Sequence, residues 1–223
     1  MFYNITMNDL YICNISCLKD ETLFNKLYSS LPIERKNRID KYHFENDKYL
    51  SIGSFCLLNK ALQDRNISNY ELVYGKNNKP YLRNNELYFN ISHSNEYVIC
   101  LVSNEEVGCD IEKIKDVNLN VAKSHFHPNE YETIINSNNP LDTFFKFWTL
   151  KESFMKNKGL GLKLPLDSFE MVLEKDIKVK QNLDKQNYYF KMIDVDDNYK
   201  CALCLLNNDD VNIHGIDLND WYK

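Results

Sequence analysis

The spacing of apolar positions along the chain changes between the period of a helix and the period of a strand. Residues 47–62 carry apolar side chains at helical spacing, which predicts a long amphipathic helix. Residues 87–92 and 97–102 are strand-like segments on either side of a polar loop at 93–96, which is the pattern of a β-hairpin. A further strand is predicted at residues 107–112, where apolar and polar positions alternate.

The second half of the chain mixes the same two periods. Pro140 precedes a run of aromatic residues at helical spacing, which predicts a helix over residues 141–158, and Gly159 and Gly161 follow it as residues suited to a helix end. Three later segments alternate like strands, at residues 169–173, 188–193 and 199–206. Because helices and hairpins mix without a regular β–α–β alternation, the pattern favours an α+β fold with antiparallel sheets.

Composition and charge narrow the class of protein. The chain has 223 residues, of which 43% are hydrophobic and 26% are charged, and this mix is typical of a packed globular protein. The net charge of −5 disfavours nucleic acid as a partner. No apolar run approaches the roughly 20 residues that a membrane helix needs, so we expect no membrane contact.

The seven cysteines are scattered along the chain, and the N-terminal segment lacks the pattern of a secretion signal. We therefore expect free thiols in a cytoplasmic protein. Cys201 and Cys204 have the spacing of a redox or zinc pair, but they lie on a predicted strand, where residues three apart face opposite sides. Core packing is the favoured interpretation of this pair.

Asp110 and Glu112 are two residues apart on a predicted strand, so both side chains face the same side of the sheet. Two adjacent carboxylates repel each other, and in a cleft they favour a bound cation. Gly108, just before them, leaves room for another group to approach the backbone. On this segment alone, an exposed acidic strand face is the favoured interpretation.

Glu152 and Lys156 lie four residues apart on the predicted aromatic helix, and therefore on one face of it. A surface ion pair worth about 0.2–0.5 kcal/mol is the simpler interpretation. The alternative is a carboxylate that holds a metal or accepts a proton, beside an ammonium that neutralises a phosphate. The helix alone favours the ion pair.

Ser92 and His93 stand at the end of a predicted strand, where a hydroxyl and an imidazole suit a bound anion. A nucleophile with its base, or a simple polar turn, are the other interpretations, although the Gly-x-Ser-x-Gly motif of serine hydrolases is absent. Several cations could contact a phosphate, but acidic residues are interleaved with them, so a solvated amphipathic helix is the simpler interpretation of this segment. These cations are Arg35, Lys36, Arg38, Lys41, Lys48, Lys76 and Lys79.

Together and in this order, these motifs resemble the Sfp-type 4'-phosphopantetheinyl transferases, which activate carrier domains of nonribosomal peptide and polyketide synthases. The resemblance rests on the acidic pattern Gly-Cys-Asp-Ile-Glu at 108–112 and on the helix pattern Trp-Thr-Leu-Lys-Glu-Ser-Phe-Met-Lys at 148–156. Lys-Pro at 79–80, Asn-Ile-Ser-His-Ser at 90–94 and the segment 159–169 add to it.

The resemblance implies a fold of two similar α+β subdomains with antiparallel sheets, related by a pseudo-two-fold axis. The corresponding division of this chain is residues 1–107 and 108–223. Coenzyme A is expected to bind in the cleft between the two subdomains. Because the site would be complete within one chain, we expect a monomer.

The implied reaction moves the 4'-phosphopantetheine arm of coenzyme A to a serine of an apo acyl, peptidyl or aryl carrier protein and releases 3',5'-ADP. By resemblance, Asp110, Glu112 and Glu152 hold Mg²⁺, and Mn²⁺ is equally compatible with oxygen ligands. Glu152 is also the expected general base, and Lys156 the group that screens charge on the leaving phosphate.

The resemblance also implies where the two substrates bind. The coenzyme phosphates are assigned to Lys79, Ser92 and His93, and the 3'-phosphate to Arg35, Lys36 or Lys48. At the position where the family often has an arginine for that phosphate, this chain has Tyr49. The carrier protein is expected to dock between Asp110 and Glu152, with an apolar contact from Phe126.

Two other functions compete with this interpretation. A Mg²⁺-dependent phosphohydrolase would use the same carboxylates with water as the nucleophile. A non-catalytic module that binds carrier protein or coenzyme would need no base, and the complete set of three carboxylates and a lysine argues against it.

Overall fold

The computed structural model describes residues 8–75, 77–84 and 87–221; Lys76 lies outside the described residues. The helices are α1 (Glu21–Ser30), α2 (Ile33–Ile39), α3 (Glu45–Asp64), α4 (Asn120–His125), α5 (Pro128–Ile135) and α6 (Pro140–Lys158). The strands are β1 (Asn8–Asn14), β2 (Leu72–Tyr74), β3 (Pro80–Leu82), β4 (Tyr88–Ser94), β5 (Tyr97–Ser103), β6 (Gly108–Lys113), β7 (Glu170–Leu173), β8 (Ile177–Lys180), β9 (Tyr189–Met192), β10 (Tyr199–Leu205) and β11 (Val211–Gly215). Across these ranges, no helix is long and apolar enough to cross a membrane.

The strands form two larger sheets and two hairpins. The first sheet has the order β11-β1-β5-β4 and the second has the order β6-β10-β9, while β2 pairs with β3 and β7 with β8. The pairings are antiparallel except for that of β1 with β11, which is parallel. The predicted α+β class with antiparallel sheets is confirmed.

Strand residues alternate between two apolar layers, as the period of two requires. On β10, Ala202 and Cys204 pack in the core beneath α6, whereas Cys201 and Leu203 lie in the apolar layer between the two larger sheets. The predicted opposite orientation of Cys201 and Cys204 is therefore confirmed. β5 alternates in the same way beneath α3, so each half presents a long helix packed on a sheet. The pseudo-two-fold relation itself stays a prediction.

Two local features differ from what the sequence pattern predicts. The loop expected at 93–96 is only a two-residue turn, because β4 continues to Ser94 and β5 begins at Tyr97. Asn95 makes this turn with a left-handed φ of 54°, a conformation that Asn tolerates better than most residues. Pro32 predicts a longer helical stretch after it, since proline suits the first turn of a helix, but α2 has only seven residues.

The end of the described chain returns to the first sheet. β11, a strand that the sequence pattern did not predict, pairs with β1 so that Ile213 lies opposite Leu10. Leu218 then enters the core beneath α3, where it is fully buried. The expected boundary at residue 107 falls between β5 and β6, and the division into residues 1–107 and 108–223 stays a prediction.

The start of β6 lies directly against α6 at Gly108. A β-carbon added there would be 2.0 Å from the carbonyl oxygen of Ser153 and 2.4 Å from the amide nitrogen of Asn157. Real side chains do not approach a backbone so closely, so only glycine permits this contact. The helix ends at Gly159, whose φ of 63° is left-handed, as predicted from the sequence.

We expect Gly108→Ala to force α6 away from β6 and to lower the free energy of unfolding by about 1–3 kcal/mol, the usual cost of overpacking. Urea denaturation followed by circular dichroism measures this loss. Gly215→Ala is the matched control, because nothing lies within 4 Å of the β-carbon that it adds. An equal loss of stability in the two variants would contradict the packing argument.

Candidate active site

The two larger sheets meet where side chains of β4 bond to the backbone of β6. Alternate residues of β4 face this seam, and each accepts a hydrogen bond from a backbone amide of β6. The pairs are Asn90 Oδ1 with Cys109 at 2.9 Å, Ser92 Oγ with Ile111 at 3.4 Å and Ser94 Oγ with Lys113 at 3.1 Å. This seam fixes the register of β6 against β4.

The same serine hydroxyls hold the acidic side chains of β6. Ser92 donates to Asp110 Oδ1 at 2.8 Å, and Ser94 donates to Glu112 Oε2 at 2.8 Å. Asp110 is only 3% exposed, and its second oxygen, Oδ2, is buried without a hydrogen-bond partner among the described residues. Ser92 thus positions a carboxylate, which is a role that its neighbours in sequence did not indicate.

Lys156 reaches the same carboxylate from α6. Its Nζ lies 2.6 Å from Asp110 Oδ1 and donates to Ser92 Oγ at 2.8 Å. Burial alone would lower the pKa of Lys156, but the charge and hydrogen bond of Asp110, together with the charge of Glu152 and other nearby groups, raise that pKa above its ordinary value. Among the described ion pairs, Lys156 is joined to Asp110 and not to Glu152. The surface ion pair between Glu152 and Lys156 that the helix alone favoured does not form.

Glu112 and Glu152 share the electrostatic field of Asp110. Burial raises the pKa of Glu112, and the charge of Asp110 raises it further. The pKa of Glu152 is raised by the same two causes in the same order. The three carboxylates therefore lie near enough to disfavour one another's charge, and a cation would relieve that repulsion.

The donor set fits a hard divalent cation. Carboxylate oxygens are the ligands that Mg²⁺ prefers, and the partnerless Oδ2 of Asp110 is an acceptor that burial makes costly to leave unpaired. As they stand, the described side chains include no cluster of three acidic, His or Cys groups at metal-binding distances. The Lys156 ammonium lies on the other oxygen of Asp110.

His93 lines a cavity of about 300 Å³ in the first half of the chain and lies near enough to Lys156 and Asp110 for their charges to affect it. Partial burial lowers the pKa of His93, and the charge of Lys156 lowers it further. The cavity lies between α2, α3, the β2–β3 hairpin and β4; its polar lining includes Arg35, Arg38, Tyr42, Ser51, Asn78 and His93.

Two donors that line this cavity have no hydrogen-bond partner within the part of the chain that the structure describes. The guanidinium of Arg35 lies 5.4 Å from the centre of the Phe55 ring, and no hydrogen bond or ion pair joins it to the described residues. Burial lowers the pKa of Arg35, and the nearby charge of Arg38 adds to that effect. The buried hydroxyl of Ser51 is likewise without a partner in the described part of the chain. An unpaired guanidinium and an unpaired hydroxyl on one cavity wall suit a bound anion.

Among the described residues, the predicted cations Lys36, Lys48 and Lys79 do not line this cavity. Lys36 donates to the carbonyl oxygen of Ser29 at 2.7 Å and is not part of the lining. Lys48 is half-buried on α3, also outside the lining. Lys79 is buried, and its ammonium bonds to groups of the chain itself.

Sequence reasoning missed Ser51 as a member of the candidate site, and it named Arg38 among the cations that could contact a phosphate without assigning it to the coenzyme. A signal for them existed, since Arg38 is three residues from Arg35 on α2, and Ser51 is four residues from Asp47, which also lines the cavity. Both spacings place side chains on one helix face. Because acidic residues are interleaved in this segment, a solvated helix was the simpler interpretation of its sequence.

Phe126 is not available as the expected apolar contact for a carrier protein. It is 3% exposed, and its ring stacks on Phe144 with the centroids 5.5 Å apart. The expectation was wrong because aromatic residues of α6 cover this position. Phe126 therefore belongs to the core of the second half.

Lys151, next to Glu152, is fully buried and belongs to the core rather than to the cleft. Its Nζ lies 2.8 Å from Glu130 Oε1 and donates to the carbonyl oxygens of Leu166 and Phe169. Burial raises the pKa of Glu130 and lowers that of Lys151, while the charge of each partner opposes the shift. The pair joins α5 to α6.

Comparison with known proteins agrees with this geometry. A family model of the 4'-phosphopantetheinyl transferase superfamily matches residues 106–204, and one of the 4'-phosphopantetheinyl transferase N-terminal region matches residues 19–106. The chain is 34% identical to the 4'-phosphopantetheinyl transferase gsp of Aneurinibacillus migulanus over 194 residues, which cover 84% of this chain and 81% of that protein.

A second relative and a solved structure also align with this chain. The chain is 32% identical to the 4'-phosphopantetheinyl transferase Sfp of Bacillus subtilis (strain 168) over 196 residues, 82% of this chain and 86% of that protein. The crystal structure of the Thermotoga maritima holo-[acyl-carrier-protein] synthase aligns with a TM-score of 0.40 at 18% identity, over 44% of this chain and 61% of that one. That alignment is too partial to support an argument.

The chain therefore belongs to the 4'-phosphopantetheinyl transferase family, as the motifs predicted. It is of the Sfp type, an enzyme that uses coenzyme A to modify apo carrier proteins.

Proposed function

We propose that this transferase depends on Mg²⁺, attaches the phosphopantetheine arm to a serine hydroxyl of an apo acyl, peptidyl or aryl carrier protein, and releases 3',5'-ADP. The observation that carries the proposal is the convergence of Asp110, Glu112, Glu152 and Lys156 beside the Arg35 cavity. We also propose a cytoplasmic monomer, since every residue of the site comes from one chain and the described cysteines are free thiols.

The two ends of the cleft suit two parts of coenzyme A. The cavity lined by Arg35, Arg38 and Ser51 would bind the 3'-phosphate, because a guanidinium can donate two parallel hydrogen bonds to a phosphate. His93, which lines the cavity and lies within reach of the charge of Lys156, would contact the diphosphate. Ser92 then acts indirectly, by holding Asp110 and accepting from Lys156.

Asp110, Glu112 and Glu152 would hold Mg²⁺ in this proposal. When bound, Mg²⁺ would neutralise negative charge on the diphosphate and so favour attack by an oxygen nucleophile. Mn²⁺ would satisfy the same oxygen ligands. Burial and the charge of Asp110 raise the pKa values of Glu112 and Glu152, and a bound cation would offset both effects.

Glu152 would accept the proton of the carrier serine. Its raised pKa makes it a stronger base than an exposed glutamate while it stays below the usual pKa of a hydroxyl. Lys156, held protonated by Asp110, would stabilise the charge that develops on the 3',5'-ADP leaving group. The seam between β4 and β6 holds Asp110, to which Lys156 is bound.

Intact-mass spectrometry tests the proposed reaction. Several unrelated apo carrier proteins are incubated with the wild-type chain, coenzyme A and Mg²⁺, with EDTA as a control. We expect a metal-dependent gain of one phosphopantetheine arm on at least one carrier. Breakdown of coenzyme A without any carrier would indicate the phosphohydrolase, and intact coenzyme A with unmodified carriers would indicate a binding module.

We expect Arg35→Ala to raise the KM for coenzyme A by about tenfold or more, because a charge-assisted hydrogen bond is worth about 1.5–3 kcal/mol. The variant should also lose most of the preference for coenzyme A over its 3'-dephospho form, which steady-state kinetics with both substrates would measure. Lys36→Ala is the matched control, since Lys36 lies next in sequence but outside the cavity. Equal effects of the two variants would contradict the assignment of the phosphate pocket.

We expect Glu152→Gln to lower the rate of transfer by at least about 100-fold, because the amide cannot accept the serine proton. Binding of coenzyme A, measured by calorimetry, should persist. Glu132→Gln on α5 is the matched control, an exposed glutamate away from the cleft. Unchanged turnover in the Glu152 variant would contradict its role as the base.

A further inference from the structure

Lys79 is a buried cation whose hydrogen-bonding capacity is used within the chain. Its side chain is 7% exposed, and its Nζ lies 2.6 Å from Glu106 Oε2. The same Nζ donates to the carbonyl oxygen of Val107 at 3.2 Å and to that of Asn157 at 3.1 Å. An ammonium has three protons, so these three acceptors leave none for a phosphate.

The three acceptors lie on, or directly before, the two elements that carry the proposed catalytic and metal-binding groups. Glu106 and Val107 immediately precede β6, which holds Asp110 and Glu112. Asn157 lies in the last turn of α6, one turn after Glu152 and next to Lys156. Carbonyl groups at a helix C-terminus carry partial negative charge, which favours a cation at this position.

Lys79 itself lies in the turn between β2 and β3, and this turn lines the coenzyme cavity through Asn78 and Pro80. A backbone hydrogen bond from Gly75 to the Lys79 carbonyl oxygen, 3.0 Å long, closes the turn. A second contact joins the turn to α6, since Asn77 Nδ2 donates to the carbonyl oxygen of Gly159 at 2.8 Å.

A further hydrogen bond closes the same junction from the helix side. Asn157 Nδ2 donates to the carbonyl oxygen of Glu106 at 2.8 Å. The cavity turn, the segment entering β6 and the end of α6 are therefore held together around one ammonium. Burial lowers the pKa of Lys79, and the charge of Glu106 opposes that shift.

We propose that Lys79 is a positioning residue that sets the cavity turn, β6 and α6 in register, and that it does not contact coenzyme A through its side chain. The effect of this register on catalysis rests on the proposed function. Removing the ammonium would leave Glu106 and two backbone carbonyl oxygens without their shared donor. The end of α6 would then shift relative to Asp110, and a shift of about 1 Å can cost on the order of 100-fold in rate.

Lys79→Met tests the proposal, since methionine keeps most of the apolar stem and removes the charge. We expect kcat to fall by about tenfold or more at saturating coenzyme A, with the KM for coenzyme A changed less than about twofold. Arg83→Met is the matched control, because Arg83 forms an exposed ion pair with Glu71 at the base of the same hairpin. That control should keep the wild-type kcat.

Glu106→Gln provides a second variant that leaves the lysine in place. If Lys79 acts through the junction, Glu106→Gln should lower kcat in the same way, and the double variant should be no worse than Lys79→Met alone. A raised KM with an unchanged kcat in Lys79→Met, or additive losses in the double variant, would overturn the proposal. If Lys79→Met does not fold, the kcat of Glu106→Gln alone tests the proposal, and an unchanged kcat would overturn it.

Hydrogen–deuterium exchange separates this proposal from the proposed function. Lys79→Met or Glu106→Gln should speed amide exchange in the last turn of α6 and at the start of β6, whereas Arg83→Met should not. Unchanged exchange in both junction variants would overturn the proposal even if the enzyme is active. Faster exchange there would support it even if the wild-type chain transferred nothing to any carrier, which would be a failure of the proposed function alone.

Discussion

The side-chain hydrogen bonds between β4 and β6 are the interaction on which the rest of the site depends. Backbone amides of β6 bond to polar side chains of β4 instead of to a neighbouring strand. This arrangement lets two separate sheets meet along one line while the buried amides stay paired. It also directs two serine hydroxyls at Asp110 and Glu112, so the acidic groups are fixed by the same contacts that join the halves. A change in the seam would therefore alter architecture and chemistry together.

Charge is divided along the cleft into an acidic end and a basic end. Three carboxylates lie at the acidic end with the ammonium of Lys156, while Arg35 and Arg38 line the cavity at the other end. Neither end is balanced by the described residues alone, since the charge of Asp110 adds to burial in raising the pKa of Glu112 and Glu152, and Arg35 has no acidic partner. A substrate with negative charge at both of its ends, bound together with a cation at the acidic end, would balance the charge at both ends of the cleft.

Sequence periodicity predicted most elements because burial on one face imposes it directly. It also placed Asp110 and Glu112 on one face, since strand alternation is local. The errors concern contacts made between distant segments. β11 lies at a sheet edge and has exposed positions, so its pattern is weak. Phe126 was expected on a surface, whereas packing from α6 buries it. The acceptors that bond to the ammonium of Lys79, next to β6 and on α6, also come from distant segments. No local pattern encodes such partners.

Two lysines of α6 show why the helix must be fixed in rotation as well as in position. Lys151 and Lys156 are five residues apart, so their side chains point about 140° apart around the helix. The first is bound to Glu130 in the core, and the second to Asp110 in the cleft. A buried ion pair contributes little net stability compared with apolar packing, but it has a defined geometry that apolar contacts lack. With Lys151 held by three acceptors, the helix cannot rotate without breaking them, and Glu152 and Lys156 stay directed at β6.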